Sequence, residues 1–212
     1  MWLPYVFTYL KMNESDPRAT RSRTALLNAG VETLLQNSNA TLTEIAQVAG
    51  VGRATLYRHF QTREQLIIEL AAESLMATDQ ACAHIRSKEM KGREAIEAIF
   101  TSVMPLADRF HFLLSLWSYV ETNETLKTTY HAQLSQLKAR IKEAKLDSSI
   151  DESLPEEWLV CLMDNLLYTG WYCIATGSLS ASEASKLAIR SFFDGMGVKT
   201  NNHSRDDESV FP

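Results

Sequence analysis

The sequence predicts an all-α chain, with an N-terminal three-helix helix-turn-helix head, a larger helical body behind it and about nine helices in total. Three observations carry this. Leu and Ala together number 48 against 19 for Val and Ile, the vocabulary of helices and not of sheets. Gly and Pro make up 13 of the 212 residues, and proline stands only at positions 4, 17, 105, 155 and 212, which leaves long stretches in which helices can run. No alternation of apolar and polar residues persists at the period of a strand.

The first helix is expected from Pro17 to Gln36, with Leu26, Leu27, Gly30, Val31, Leu34 and Leu35 returning to one face, and Asn37-Ser38-Asn39 breaks it. Thr41-Leu-Thr-Glu44 is a capping box that opens a helix of about eight residues, ended by the glycine turn at Ala49-Gly50. A further short helix spans about Arg53 to Phe60. Thr62 then caps a long fourth helix with Leu66, Ile67, Leu70 and Leu75 inward, expected to run to Arg86, about 24 residues or roughly 36 Å. Five more are expected over 92–104, 106–120, 123–146, 155–176 and 181–194, the last opened by a second capping box, Ser180-x-x-Glu183. The domain reading is an arm over 1–16, a helix-turn-helix domain over 17–63, an effector-binding and dimerisation domain over 64–200 and a disordered tail over 201–212.

Residues 1–10 are apolar and uncharged, but Pro4 interrupts them and ten residues reach about halfway across a bilayer. No basic segment precedes the run and no small-residue cleavage site follows it, while Met12 opens a stretch typical of a cytosolic start. A loose arm is therefore expected, with no membrane association. Three cysteines, odd in number and without metal-ligand spacing, read as reduced thiols in the cytoplasm. The net charge of −5 argues against a protein that coats nucleic acid along its whole surface. Its distribution is uneven: residues 11–63 carry seven Lys/Arg against four Asp/Glu, and residues 64–212 fourteen against twenty-two. A basic head on an acidic body points to a localised anion-binding surface.

Helix, short glycine turn, helix is the layout that places its second helix in the major groove of DNA. The expected core of the unit is Ile45, Ala46, Ala49, Val51, Leu56 and Phe60, and the outward positions of the second helix are Arg53, Ala54, Thr55, Tyr57, Arg58 and His59. Such groups make phosphate hydrogen bonds, touch thymine methyls or read guanine edges. Gly50-Val-Gly52-Arg-Ala-Thr also looks like the start of a dinucleotide-binding glycine loop, but the third glycine is missing and a short helix, not a strand, precedes it.

The run from Thr41 to Phe60 (TLTEIAQVAGVGRATLYRHF), with Gln-Thr-Arg-Glu-Gln-Leu66 after it and Leu26-Leu-Asn-Ala-Gly-Val-Glu-Thr-Leu-Leu35 before it, resembles the tetracycline-repressor (TetR/AcrR) family of transcriptional regulators over about 60 residues. Two departures occur: Gly52 stands where that family usually has a Ser or Thr cap, and Ala54 where Gly is common. The resemblance implies that Tyr57, His59 and Arg63 hold phosphates, that Arg53, Ala54 and Thr55 face bases, and that Thr43 lies near the backbone. Thr41 and Arg58 complete the expected DNA surface. Double-stranded DNA with a palindromic operator, a second copy of the chain and a small-molecule effector are the partners it implies.

The body shows no G-x-S-x-G, Walker loop or H-E-x-x-H, and its histidines are scattered, so no catalytic, cofactor or metal site is expected and the chain does not read as an enzyme. Phe100, Met104, Phe110, His111, Phe112, Trp117 and Tyr119 cluster over two successive helices, which fits ordinary core or an apolar pocket for a lipophilic or aromatic effector. From Trp158 to Ile174 only Asp164 is charged, so that helix demands burial on every side. Pairing of the last two helices with a second copy supplies it, through Leu159, Leu162, Leu166, Gly170, Trp171, Leu187 and Phe192. The functional expectation is a dimeric repressor released from its operator by the effector. The alternative is a DNA-binding protein of the same fold without an effector, serving chromosome organisation or protein-controlled regulation.

Overall fold

Every long element in the computed structural model is a helix; it describes residues 17–195, so the expected arm over 1–16 and tail over 201–212 lie outside the described residues. Helix α1 (Pro17–Gln36) opens on a proline, which suits a first turn whose amides lack helical partners, and turns Leu26, Leu27, Gly30, Val31 and Leu34 inward. Helix α2 (Leu42–Val48) carries the expected capping box: Glu44 N–H donates to Thr41 Oγ1 at 3.3 Å, and Thr41 N–H donates to Glu44 Oε2 at 2.7 Å. Those bonds from Thr41 hold the Glu44 carboxyl below the usual carboxylate range. Gly50 then takes φ +65°, a left-handed turn in which a β-carbon is strained, and Val51 N–H closes onto Ala46 O at 2.9 Å. Helix α3 (Arg53–His59) follows with Gly52 at its N-cap.

Helix α4 (Arg63–Ala81) is capped by Thr62, whose hydroxyl accepts Gln65 N–H at 3.1 Å. Arg23 of α1 clamps it, donating to Glu73 at 2.8 Å and to Glu69 at 2.5 Å. Leu26, Ile45, Leu56, Phe60, Leu66, Ile67 and Leu70 close the head's core with no exposed surface. That core is shared, because Phe112 and Leu116 of the body pack into it.

Two expected helices are broken. The fourth does not reach Arg86: α4 ends at the Cys82 cap and a short α5 (Ala83–Ser87) follows, turning Ile85 inward. Its 19 residues span about 28 Å, shorter than the sequence suggests. The expected helix over 106–120 is also two, after α6 (Gly92–Val103) and a 3-10 turn over Met104–Leu106: α7 (Ala107–Ser115) and α8 (Trp117–Thr122), parted at Leu116. These breaks make eleven α-helices among the described residues where about nine are expected. Helices α9 (Glu124–Leu146), α10 (Glu156–Ala175) and α11 (Ala181–Asp194) complete the body. α6 lies along α9 and α10 along α11. Ile96, Phe100, Met104, Ile141, Leu159 and Met163 form their core.

Candidate nucleic-acid interface and effector cavity

The outer face of α3 holds its side chains in two pairs. The Arg53 guanidinium lies 5.7 Å from the Tyr57 ring centre, one turn apart on an exposed ridge, and Arg58 Nη2 donates to Thr55 Oγ1 at 2.8 Å on the next. Ala54 is exposed between them, and Leu56 and Phe60 anchor the opposite face with no exposed surface. Tyr57, at 42 % exposure, is an outward aromatic and not a packing residue. His59 is half-buried, and burial first, then the nearby Arg23 and Arg58 charges, hold its imidazole below the usual range, so it presents a neutral ring near pH 7. At the start of α2, Thr43 is exposed, whereas the Thr41 hydroxyl both accepts from Glu44 N–H and donates to Glu44 Oε2 at 2.8 Å. Thr41 is committed to the cap.

Arg63 has other partners than a phosphate. Its Nε donates to Ala40 O at 2.8 Å, its Nη2 to Ser38 O, and its Nη1 to Tyr119 Oη at 3.1 Å. It therefore ties the α1–α2 loop and the body's α8 to the first turn of α4. Its fork geometry, which bridges three acceptors at once, explains why an arginine serves here.

Of the seven residues expected to line a pocket, the six whose side chains are described do not come together. Phe100 and Met104 are core: Phe100 meets Phe192 edge-on at 5.7 Å, and its carbonyl accepts Ser185 Oγ–H at 3.0 Å. Phe112 belongs to the head's core, and Tyr119 bonds Arg63. His111 stacks on Trp171 at 3.8 Å, its Nδ1 buried without a partner among the described residues, and burial keeps its pKa low. Trp117 packs edge-on against Tyr130 at 4.5 Å. The Phe110 side chain lies outside what the structure describes.

The hollow of the body lies elsewhere, between α4, α6, α9 and α10. It opens to solvent and is walled by Cys82, Ile99, Val103, Tyr130, Leu134, Leu137, Met163 and Leu167. Asp164 also faces it, and burial pushes that carboxyl up to about 6. Burial likewise pushes the Cys82 thiol up to about 11. The one trace of this site in the sequence is Asp164, the only charge in the apolar helix. Among the described residues no three His, Cys, Asp or Glu side chains gather as a metal set, and no helix is long and apolar enough to cross a membrane.

Residues 26–70, which build the head from α1 through the first turns of α4, match the family described as bacterial regulatory proteins, tetR family. The match is to the head alone. An uncharacterised HTH-type transcriptional regulator of Mycobacterium tuberculosis is 28% identical over 148 residues, 66% of this chain and 76% of the relative. The TetR-like regulator LfrR of Mycobacterium smegmatis, solved in complex with proflavine, shares the fold at TM-score 0.65 and 22% identity, over 84% of this chain and 98% of that one. The regulator FadR of Bacillus subtilis, solved in complex with stearoyl-CoA, does so at TM-score 0.57 and 17% identity, over 82% and 99%. The head thus matches that of bacterial regulatory proteins, and the mycobacterial relative is described as a transcriptional regulator of the helix-turn-helix type.

Within the body, the residues expected at a dimer surface divide by side. Leu159 and Gly170 are buried in their own chain, and a β-carbon on Gly170 would run into the Met104 thioether, with Ala184 Cβ at 3.6 Å. The glycine lets α10 approach its own 3-10 turn, not a partner. Trp171 and Phe192 are likewise engaged with His111 and Phe100, and Leu166 packs on the body core. Leu162 is half-buried and Leu187 exposed. Sequence reasoning misses the outward stripe of α10: Trp158, Cys161, Asn165, Tyr168 and Tyr172, spaced by threes and fours, with Trp158 at 62 % and Tyr172 at 57 % exposure.

Proposed function

We propose that the protein is a homodimeric repressor that holds a palindromic operator with two copies of α3 and releases it when a small lipophilic effector enters the cavity. Arg53, Ala54 and Thr55 face base edges, Tyr57, Arg58 and His59 reach phosphates, and the N-terminus of α2 at Thr43 lies against the backbone. The observation that carries the switching reading is α4. Its residues Leu66, Ile67 and Leu70 lie in the head's core, and Thr78 and its Cys82 cap line the cavity. A ligand that displaces the far end of α4 therefore tilts the head, and half-sites about 34 Å apart do not tolerate a changed separation of the two α3 helices. The solved relatives that hold proflavine and stearoyl-CoA support a small molecule in a body of this fold. The exposed stripe of α10, with Leu187 beside it, supports the second copy.

The test begins with duplexes selected by the purified protein from a random library. The enriched sites are expected to be palindromic, and with about six phosphate contacts their affinity falls with a log–log salt slope of roughly −5. A flat salt response, or a preference for single strands, contradicts the interface. Lipophilic compounds that bind the body should weaken operator binding, and ligands that leave it unchanged contradict the switch.

A further inference from the structure

The cavity carries an electrostatic imbalance that its apolar lining does not demand. Two basic side chains line it, and both are spent: Arg86 pairs with Asp79 at 2.9 Å, and Arg140 with Glu143 at 2.9 and 3.0 Å. Asp164 is the remaining charge. It stands alone on a helix that is otherwise uncharged from Trp158 to Ile174, and among the described residues no hydrogen bond or ion pair reaches it. Tyr130, Leu134, Met163 and Leu167 line the same hollow, and Tyr130 lies near enough to feel the Asp164 charge.

An unpaired carboxylate in an apolar hollow costs stability, and neutral packing would have served the fold better. The cost is recovered when a positive charge is delivered to the carboxylate with apolar surface around it. Tyr130 adds an aromatic ring to the same lining, a group that attracts cations. An anionic ligand has the opposite problem: it meets Asp164 and finds both arginines already paired.

We propose that the cavity takes a lipophilic organic cation, its charge met by the Asp164 carboxylate and its apolar groups by Tyr130, Leu134, Met163 and Leu167. This rests on the reading of the cavity as the effector site. Burial pushes the free carboxyl up to about 6, so above neutral pH it is ionised and waiting for a counter-charge.

The test uses two ions of one shape and opposite sign, tetraphenylphosphonium and tetraphenylborate, with neutral N-phenyl-1-naphthylamine as a third probe, titrated into the full chain by calorimetry at pH 7.5. The cation is expected to bind at least about tenfold tighter than the anion, and Asp164→Asn to shrink that ratio by at least about tenfold. The comparison between the two ions needs no variant, so a poorly folding Asp164→Asn does not shield the proposal. Equal affinities, preference for the anion, or a ratio unchanged in a folded Asp164→Asn overturns it. Binding of the neutral probe alongside such a result leaves the effector cavity standing and removes only its cation preference. Failure of all three probes to bind overturns both.

Discussion

The head closes Ile45, Leu56, Phe60 and Leu66 completely and turns Arg53, Tyr57 and Arg58 out to solvent, whereas the body leaves an apolar hollow with a lone carboxylate on its wall. The two regions spend their stability differently. A DNA-reading unit must hold a few side chains at fixed spacing, so its short helices are keyed together by bulky buried residues. On the proposed reading the body keeps space for a ligand to fill, which accounts for its half-buried walls and unpaired acid. Arg63, bonded to Ser38, Ala40 and Tyr119, and Phe112, packed in the head's core, join the regions mechanically.

The sharpest way to break this contrast is to truncate one leucine in each region. Leu56→Ala in the closed core should cost about 2–5 kcal/mol in urea unfolding and abolish duplex binding, while Leu134→Ala on the cavity wall should cost under about 1.5 kcal/mol. Equal costs would mean that the body is as tightly committed as the head. A double change on the outward stripe, Trp158→Arg with Tyr172→Arg, should next give a helical monomer by light scattering that no longer retards operator. A dimer that persists would place the interface elsewhere.

Smaller effects separate reading from holding within the head. Arg53→Ala should relax base preference at one position per half-site, a loss of about 1–3 kcal/mol on the preferred site. Tyr57→Phe should weaken all duplexes alike by about 1 kcal/mol. Sequence-dependent losses from both would merge the two roles.

The smallest predicted effect concerns pH and the body alone. A carboxyl raised from 3.8 to about 6 by burial imposes no penalty below about pH 4, an increasing one between, and its full penalty above 6. Asp164→Asn should therefore raise the melting temperature by about 2–4 °C at pH 7.5, as expected for ~1 kcal/mol, with the gain absent below about pH 4. A gain that is the same at both pH values would assign it to packing and not to the buried charge.

The head is legible in sequence because its signals are local. The Thr41–Glu44 box, the turn at Gly50 and the apolar positions from Ile45 to Phe60 lie within twenty residues, each with a stereochemical reason. The body's surprises come from distant partners. Nothing in Ala81-Cys82-Ala83 or around Leu116 marks a helix break, since neither place carries glycine or proline. Periodicity turns Phe100 and Phe112 inward but cannot say that they enter different cores. The acceptors of Arg63 lie 23, 25 and 56 residues away, and only the fold brings them to it. Gly170 reads as a site of close approach, and it is one, with Met104 of its own chain as the neighbour. Asp164 stands out in sequence, but its meaning depends on the hollow that it shares with Tyr130 and Leu134 of α9.

The coupling of the two regions through α4 is tested most directly by measuring operator affinity, by fluorescence anisotropy, with the cavity empty and with it saturated by a bound ligand. The account predicts that saturation weakens operator binding by about 5–150-fold, and that operator weakens ligand binding by the same factor. An operator affinity unchanged by a saturating cavity ligand would contradict it.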